Sequence, residues 1–132
     1  MQRPTLQGRS ILIVEDNPII VMDLTLALEH TGAQLTTTNT LKHAILLAEH
    51  DGLSAAILDH ALGDGDSSLL CNRLTERGIP YMIYSGYPKD KDASDDLVHV
   101  SKPATHEVIV AAMEGLIGRA EKSHTDIAGK AT

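Results

Sequence analysis

Five polar side chains fall directly behind short aliphatic runs of the chain. Glu15 and Asp16 follow Ile11-Leu12-Ile13-Val14, Asp59 follows Ala55-Ala56-Ile57-Leu58, Ser85 follows the run over residues 79–84, and Lys102 follows the run over 97–101. If each run is a buried parallel strand, these side chains sit at strand carboxyl ends, which line the ligand crevice of an open α/β sheet where strand order reverses. Carboxylates a few ångströms apart repel by about 4 kcal/mol per pair at an effective dielectric near 20. A hard divalent cation relieves that repulsion best. Mg²⁺ takes one or two carboxylates together with waters and phosphate oxygens, and Mn²⁺ accepts the same donors. Lys102 would offset further charge or hold a phosphoryl oxygen, and Ser85 would donate to another. Asp59 is then left as a nucleophile toward phosphorus, giving an acyl phosphate. Taken singly, an Asp behind a strand is more often a turn former or cap, and a Lys before Pro is more often solvated. The weight lies in compatible residues recurring in order behind successive runs.

Positioning them requires strands that alternate with helices, and the pattern supplies both. Asn17-Pro18 offers an N-cap with Pro at the first helical position, after which Ile20, Leu24, Ala27 and Leu28 recur at helical spacing until Gly32. Residues 33–38 read as a Thr-rich second strand, and Thr40 caps a helix over 41–50 with Ile45 and Ala48 inward. Gly63-Asp64-Gly65 makes a loop, and Asp66, Ser67 or Ser68 caps a helix carrying Leu70, Cys71 and Leu74 that ends at Gly78. A last helix from near Thr105 places Ile109, Ala112, Met113 and Leu116 on one face. Right-handed βαβ units follow, and with them an α/β fold: a doubly wound, five-stranded parallel sheet in the flavodoxin-like order 2-1-3-4-5. The crossover over residues 86–96 has Ala93 as its only aliphatic side chain, so it has no face to bury. The fourth helix should be short or disordered there. The domain spans 10–118, after an extension over 1–9 and before a polar, frayed tail over 119–132.

Composition narrows the classes of function. The 132 residues make one ordinary domain, able to bury about two-thirds of its unfolded surface. Eleven basic against 18 acidic residues give a net charge of −7, which argues against nucleic acid or an anionic membrane as the main partner. The aromatic residues are Tyr81, Tyr84 and Tyr87, so the core is aliphatic and stacking platforms are absent. Cys71 alone permits neither a disulfide framework nor a cysteine-based zinc site. No apolar stretch is long enough to span a bilayer and the first ten residues lack an apolar signal core, so a cytoplasmic location is expected.

At this level the sequence resembles the response-regulator receiver family of two-component signalling. The resemblance rests on Val14-Glu15-Asp16-Asn17-Pro18, Ile57-Leu58-Asp59 with Leu62-Gly63-Asp64-Gly65, Tyr84-Ser85-Gly86 and Ser101-Lys102-Pro103. It implies Asp59 as phosphoacceptor, Glu15 and Asp16 holding Mg²⁺ together with Asp59 and the backbone carbonyl of Ala61, Ser85 as the hydroxyl that follows the phosphoryl group, and Lys102 as its cationic contact. It also implies a cis bond to Pro103. Pro80-Tyr81-Met82-Ile83-Tyr84-Ser85-Gly86-Tyr87 is further similar to the FATGUY subclass, whose members are typically stand-alone receivers with a reduced fourth helix, associated with sensor histidine kinases of the HWE or HisKA2 type. The position where the family carries an aromatic switch, three before the lysine, is His99 here. Tyr87 would then report the Ser85 state, and His99 would add pH sensitivity. The resemblance implies a monomer or weak dimer, and output through protein contact or as a phosphate sink, with no DNA-binding or catalytic output domain expected. The chain would be a phosphoacceptor with self-catalysed transfer and slow autodephosphorylation rather than an enzyme.

Other readings compete. A phosphohydrolase of the haloacid-dehalogenase type would want a second Asp at position 61, which is Ala61. A flavodoxin-like cofactor binder would want a Ser/Thr/Gly-rich phosphate loop where Glu15-Asp16 stands. A receiver-like interaction scaffold that works without phosphorylation keeps the same fold, but has no use for the five intact polar positions. His60 points away from the phosphoacceptor by strand alternation, His43 and His50 read as solvated helix residues, and Cys71 reads as a buried small hydrophobe.

Overall fold

The computed structural model describes residues 6–59, 67–85, 98–101 and 104–131, with side chains at all of these except 85, 98, 99, 101 and 120–131. In chain order its elements are β1 (Ser10–Val14), α1 (Pro18–Glu29), β2 (Gln34–Thr38), α2 (Leu41–Leu47), β3 (Leu53–Asp59), α3 (Ser68–Glu76), β4 (Tyr81–Ser85), β5 (Val98–Ser101) and α4 (His106–Ala131). The strands form a five-stranded parallel sheet in the order β2-β1-β3-β4-β5. The chain therefore reverses its direction of winding between β1 and β3, in the order expected for a doubly wound sheet. The expectation of a short or disordered fourth helix falls on residues 86–96, outside the described residues.

Alternation along the central strands feeds two cores. Ile11 and Ile13 of β1 and Ala55 and Ile57 of β3 face a cluster completed by Leu24, Ala27 and Leu28 of α1 and Ile109, Met113, Leu116 and Ile117 of α4. Leu12, Val14, Ala56 and Leu58 face the opposite cluster, closed by Leu41 and Ala44 of α2 and Leu70 and Leu74 of α3. A strand buried on both faces must be aliphatic throughout, which is why β1 and β3 read as continuous runs.

Local chemistry sets most element ends. Asn17 caps α1, its side-chain oxygen accepting the Ile19 amide at 3.0 Å with Pro18 in the first turn. Thr40 caps α2 by accepting the His43 amide at 3.2 Å. Gly32 holds φ at +84°, and a Cβ there would come within 3.3 Å of the Gln7 Cα, so both conformation and space call for glycine. The segment it touches is anchored: Leu6 is buried in the α1/α4 core, Arg9 N donates to Leu6 O at 3.0 Å, and Gly8 N donates to Gly32 O at 3.0 Å. The stretch before residue 10 thus contributes a core side chain, although it reads as a mere extension.

Other departures have equally physical causes. The second helix stops at Leu47, short of His50, because the Glu49 and His50 amides donate three residues back, to Leu46 O at 3.2 Å and Leu47 O at 3.1 Å, and the Arg77 guanidinium donates to the carbonyls of Ala48 at 2.6 Å and His50 at 3.4 Å. Ser67 occupies the cap position of α3 but makes no side-chain capping bond, and Asp66 lies outside the described residues. Cys71 is half-buried at the edge of the α2/α3 core rather than enclosed, because it lies beside the buried Leu70–Leu74 stripe rather than on it. Helix α4 continues to Ala131, where a frayed tail is expected from residue 119: the intervening residues contain no proline, and their Ala, Glu, Lys and Arg favour helix. No helix among the described residues is long and apolar enough to cross a membrane.

Candidate functional site

The register of the central strands builds the site. Val14 of β1 pairs with Leu58 of β3, so Glu15 and Asp59, each one residue further on, emerge side by side at the carboxyl edge of the sheet. The Glu15 amide donates to Thr38 O at 3.0 Å, carrying the β1–β2 ladder one step past the end of β1. Asp59 pairs with Tyr84, which brings the end of β4 alongside. Carboxylate oxygens of Glu15, Asp16 and Asp59 all lie within 4.8 Å of one another. Glu15 is 2% and Asp59 7% exposed, whereas Asp16 is open to solvent. This is the crevice expected where strand order reverses.

The loop that carries the first two carboxylates is held by its own side chains. Glu15 Oε1 accepts the Asn17 amide at 3.1 Å, and Asn17 Oδ1 accepts the Ile19 amide. Two consecutive side-chain-to-amide bonds therefore fix the chain between strand and helix, and the same Asn17 that starts α1 also orients the acidic pair. Beside it opens a groove of about 600 Å³ lined by Glu15, Asp16, Pro18, Val21, Thr38 and His43, among others. His43, exposed on α2 as expected of a solvated helix residue, also lines this groove. The signal was its place one turn inside a helix that starts at the carboxyl end of β2.

The donor set tests what the crevice can hold. Three hard anionic oxygens, two of them on buried residues, suit a hard divalent cation and not a soft one. Mg²⁺ or Mn²⁺ would be held by Glu15, Asp16 and Asp59. The same cluster would repel a bare phosphate, so a phosphoryl group needs the cation first.

The remaining sequence candidates are placed unequally. Ser85 is the last residue of β4 and pairs with Ser101 of β5, and His99 pairs with Ile83, so the backbones of both lie in the sheet. Ala61, Tyr87, Lys102 and Pro103 lie outside the described residues, as does His60. Two contacts escape sequence reasoning. The hydroxyl of Tyr84, a residue 2% exposed, accepts the Ala104 amide at 3.2 Å. On the outer surface His106 of α4 meets Asp23 of α1 at 2.9 Å. Tertiary packing creates both pairs, and no spacing in the sequence announces either.

Comparison with known proteins places this fold. No family model matches the chain. A curated relative, the probable transcriptional regulatory protein TcrX of Mycobacterium tuberculosis, is 25% identical over 130 residues, covering 90% of this chain and 54% of its own length. The chain therefore spans about half the length of that relative. Among solved structures, a CheY-like response-regulator receiver domain from Methanospirillum hungatei superposes with a TM-score of 0.77 at 21% identity, covering 89% of this chain and 99% of its own. The response regulator PhyR of Brucella abortus gives 0.81 at 22% identity over 95% of this chain and 54% of its own. The anti-anti-sigma factor PhyR of Bartonella quintana gives 0.79 at 20% identity over 91% of this chain and 51% of its own. The chain has the fold of response-regulator receiver domains.

Proposed function

We propose that this chain is a two-component receiver that accepts a phosphoryl group from a sensor histidine kinase onto the carboxylate of Asp59. The observation that carries the reading is the meeting of Glu15, Asp16 and Asp59 within 4.8 Å at the carboxyl ends of β1 and β3. In the transfer, an Asp59 oxygen forms a bond to phosphorus as the phosphorus–nitrogen bond to the kinase imidazole breaks, and the nitrogen keeps the electron pair. Water later cleaves the acyl phosphate and releases inorganic phosphate, slowly, so the chain acts as a phosphoacceptor rather than a turnover enzyme. A bound Mg²⁺ supplies charge neutralisation. Glu15 and Asp16 hold it, Asp59 attacks, and Ser85 and Lys102 contact the phosphoryl oxygens.

The finer reading places the chain in the FATGUY subclass, with a kinase of the HWE or HisKA2 type and a cytoplasmic location. The Pro80–Tyr87 motif supports the subclass, and through it the kinase type. Output runs through protein contact or through draining phosphate from a kinase. The name of one structural neighbour, an anti-anti-sigma factor, fits output by protein contact. The same name leaves room for a scaffold that works without phosphorylation, and one experiment separates the two. Purified protein is incubated with phosphoramidate and Mg²⁺, and intact mass is followed beside Asp59→Asn, then repeated with a phosphorylated HWE-type kinase as donor. A single phosphoryl adduct that needs both Mg²⁺ and Asp59 supports the receiver. No adduct from either donor overturns it in favour of the scaffold.

A further inference from the structure

Resting on the reading above, in which Glu15, Asp16 and Asp59 hold a divalent cation, we propose that Asn17 is a positioning residue for that cation and couples its binding to the first turn of α1. Asn17 joins the two through three hydrogen bonds. Its amide donates to Glu15 Oε1 at 3.1 Å, its Oδ1 accepts the Ile19 amide at 3.0 Å, and its carbonyl accepts the Val21 amide at 3.0 Å. One residue therefore holds a carboxylate of the crevice on one side and starts the helix on the other.

The junction has little freedom to do otherwise. Glu15 is buried, and its own amide is fixed to Thr38 O at 3.0 Å, so its main chain is held to the sheet. A buried carboxylate needs donors, and a bond from an amide to a charged oxygen is about twice as strong as one between neutral groups. A proline confines the residue before it to extended backbone, and Asn17, before Pro18, has φ −89° and ψ 113°. Pro18 has no amide hydrogen, so the Ile19 amide is the first donor of the helix that a cap can engage. With the cap bond made, the direction of the Asn17 amide is set from both sides, and with it the orientation of the Glu15 carboxylate. Without the cap bond, that ordering falls to the cation as it binds, and the cost appears as lost affinity. Coupling of this kind is reciprocal, so the cation in turn steadies the first turn of α1 by the same factor. The cap of α2 supplies the contrast: Thr40 accepts the His43 amide at 3.2 Å, but its own amide goes to the Thr38 hydroxyl at 3.4 Å and not to a carboxylate.

The test uses no phosphodonor. Mg²⁺ affinity is measured by calorimetry for wild type, Asn17→Ala, Asn17→Ser and Thr40→Ala, and hydrogen–deuterium exchange of the Ile19 and Val21 amides is followed by NMR with and without Mg²⁺. Asn17→Ala should weaken Mg²⁺ binding about fivefold, equivalent to about 1 kcal/mol. Asn17→Ser keeps a capping oxygen and should bind within about twofold of wild type. Thr40→Ala loses a cap of the same kind and should lower stability as much, yet leave Mg²⁺ affinity within about twofold. In wild type, saturating Mg²⁺ should slow exchange of the Ile19 and Val21 amides about fivefold, a readout that stands even if Asn17→Ala does not fold. Unchanged affinity in Asn17→Ala, no recovery in Asn17→Ser, an equal loss in Thr40→Ala, or exchange at both amides indifferent to Mg²⁺ overturns the role. A wild type that binds no Mg²⁺ removes the metal reading and this role together, whereas a wild type that binds it beside an unaffected Asn17→Ala removes the role alone.

Discussion

Replacing Asp59 with Asn should make the metal-free protein more stable while weakening its response to Mg²⁺. Glu15 and Asp59 are both buried, and their carboxylate oxygens lie no more than 4.8 Å apart. At that separation two unit charges repel by about 3.5 kcal/mol at an effective dielectric of 20, and by about 0.9 kcal/mol in bulk water. Part of this is already offset, since Glu15 Oε1 accepts the Asn17 amide at 3.1 Å and both carboxylates have further partners. A net gain of about 1–2 kcal/mol remains for a neutral isostere, equivalent to a rise in Tm of about 3–8 °C for a domain of this size. Saturating Mg²⁺ should act in the opposite sense on the comparison. It stabilises the wild type by about 2.7 kcal/mol at a hundred times its Kd, and stabilises Asp59→Asn far less, because one anionic donor is gone. The assay is thermal unfolding by circular dichroism in chelator-treated buffer and again with added Mg²⁺. Two results refute the reasoning: a variant less stable than wild type without metal, or equal Mg²⁺ shifts in the two proteins.

Other consequences follow from the packing and the surface. Leu28→Ala empties a fully buried position between α1 and the sheet and should cost about 2–5 kcal/mol in urea unfolding, while a cost under about 1 kcal/mol would mean that the core is not closed there. The guanidinium of Arg73, hydrogen-bonded to Glu49, holds that carboxyl below its ordinary value. Arg73→Gln should return the Glu49 titration, followed by NMR, toward the ordinary range. Because the pair is solvent-exposed, its contribution is small; it is present above the ordinary carboxylate pKa and lost as pH falls through the lowered folded value. Burial chiefly, with Cys71 alongside, pushes the Tyr81 hydroxyl above the ordinary tyrosine value. The unfolded chain therefore deprotonates first, and stability is full below the ordinary pKa and falls as pH rises through the raised folded one. Tyr81→Phe should remove that alkaline slope, and an unchanged slope would assign it elsewhere.

How far the sequence alone reaches depends on whether a feature is local. Strands β1 and β3 are legible because burial on both faces demands unbroken aliphatic runs, and the caps at Asn17 and Thr40 are legible because their bonds close within two or three residues. The acidic crevice is legible because strand ends and residue types suffice to bring Glu15, Asp16 and Asp59 together. What fails to show depends on distant partners. The Arg77 guanidinium, far along the chain, takes the carbonyls of Ala48 and His50 beyond the end of α2. Leu6 enters the core only because the turn over residues 6–8 folds back toward Gly32. The Tyr84 hydroxyl finds Ala104, twenty residues further along the chain. Contacts of this kind leave no periodicity to read.

Chemical location of the phosphoryl group tests the central claim most directly. After phosphorylation with Mg²⁺ present, hydroxylamine converts an acyl phosphate to a hydroxamate, which tandem mass spectrometry places on a single residue. The account predicts a hydroxamate on Asp59 and on no other carboxylate. A label on Glu15 or Asp16, or a phosphoryl adduct on a histidine or serine that yields no hydroxamate, would contradict it.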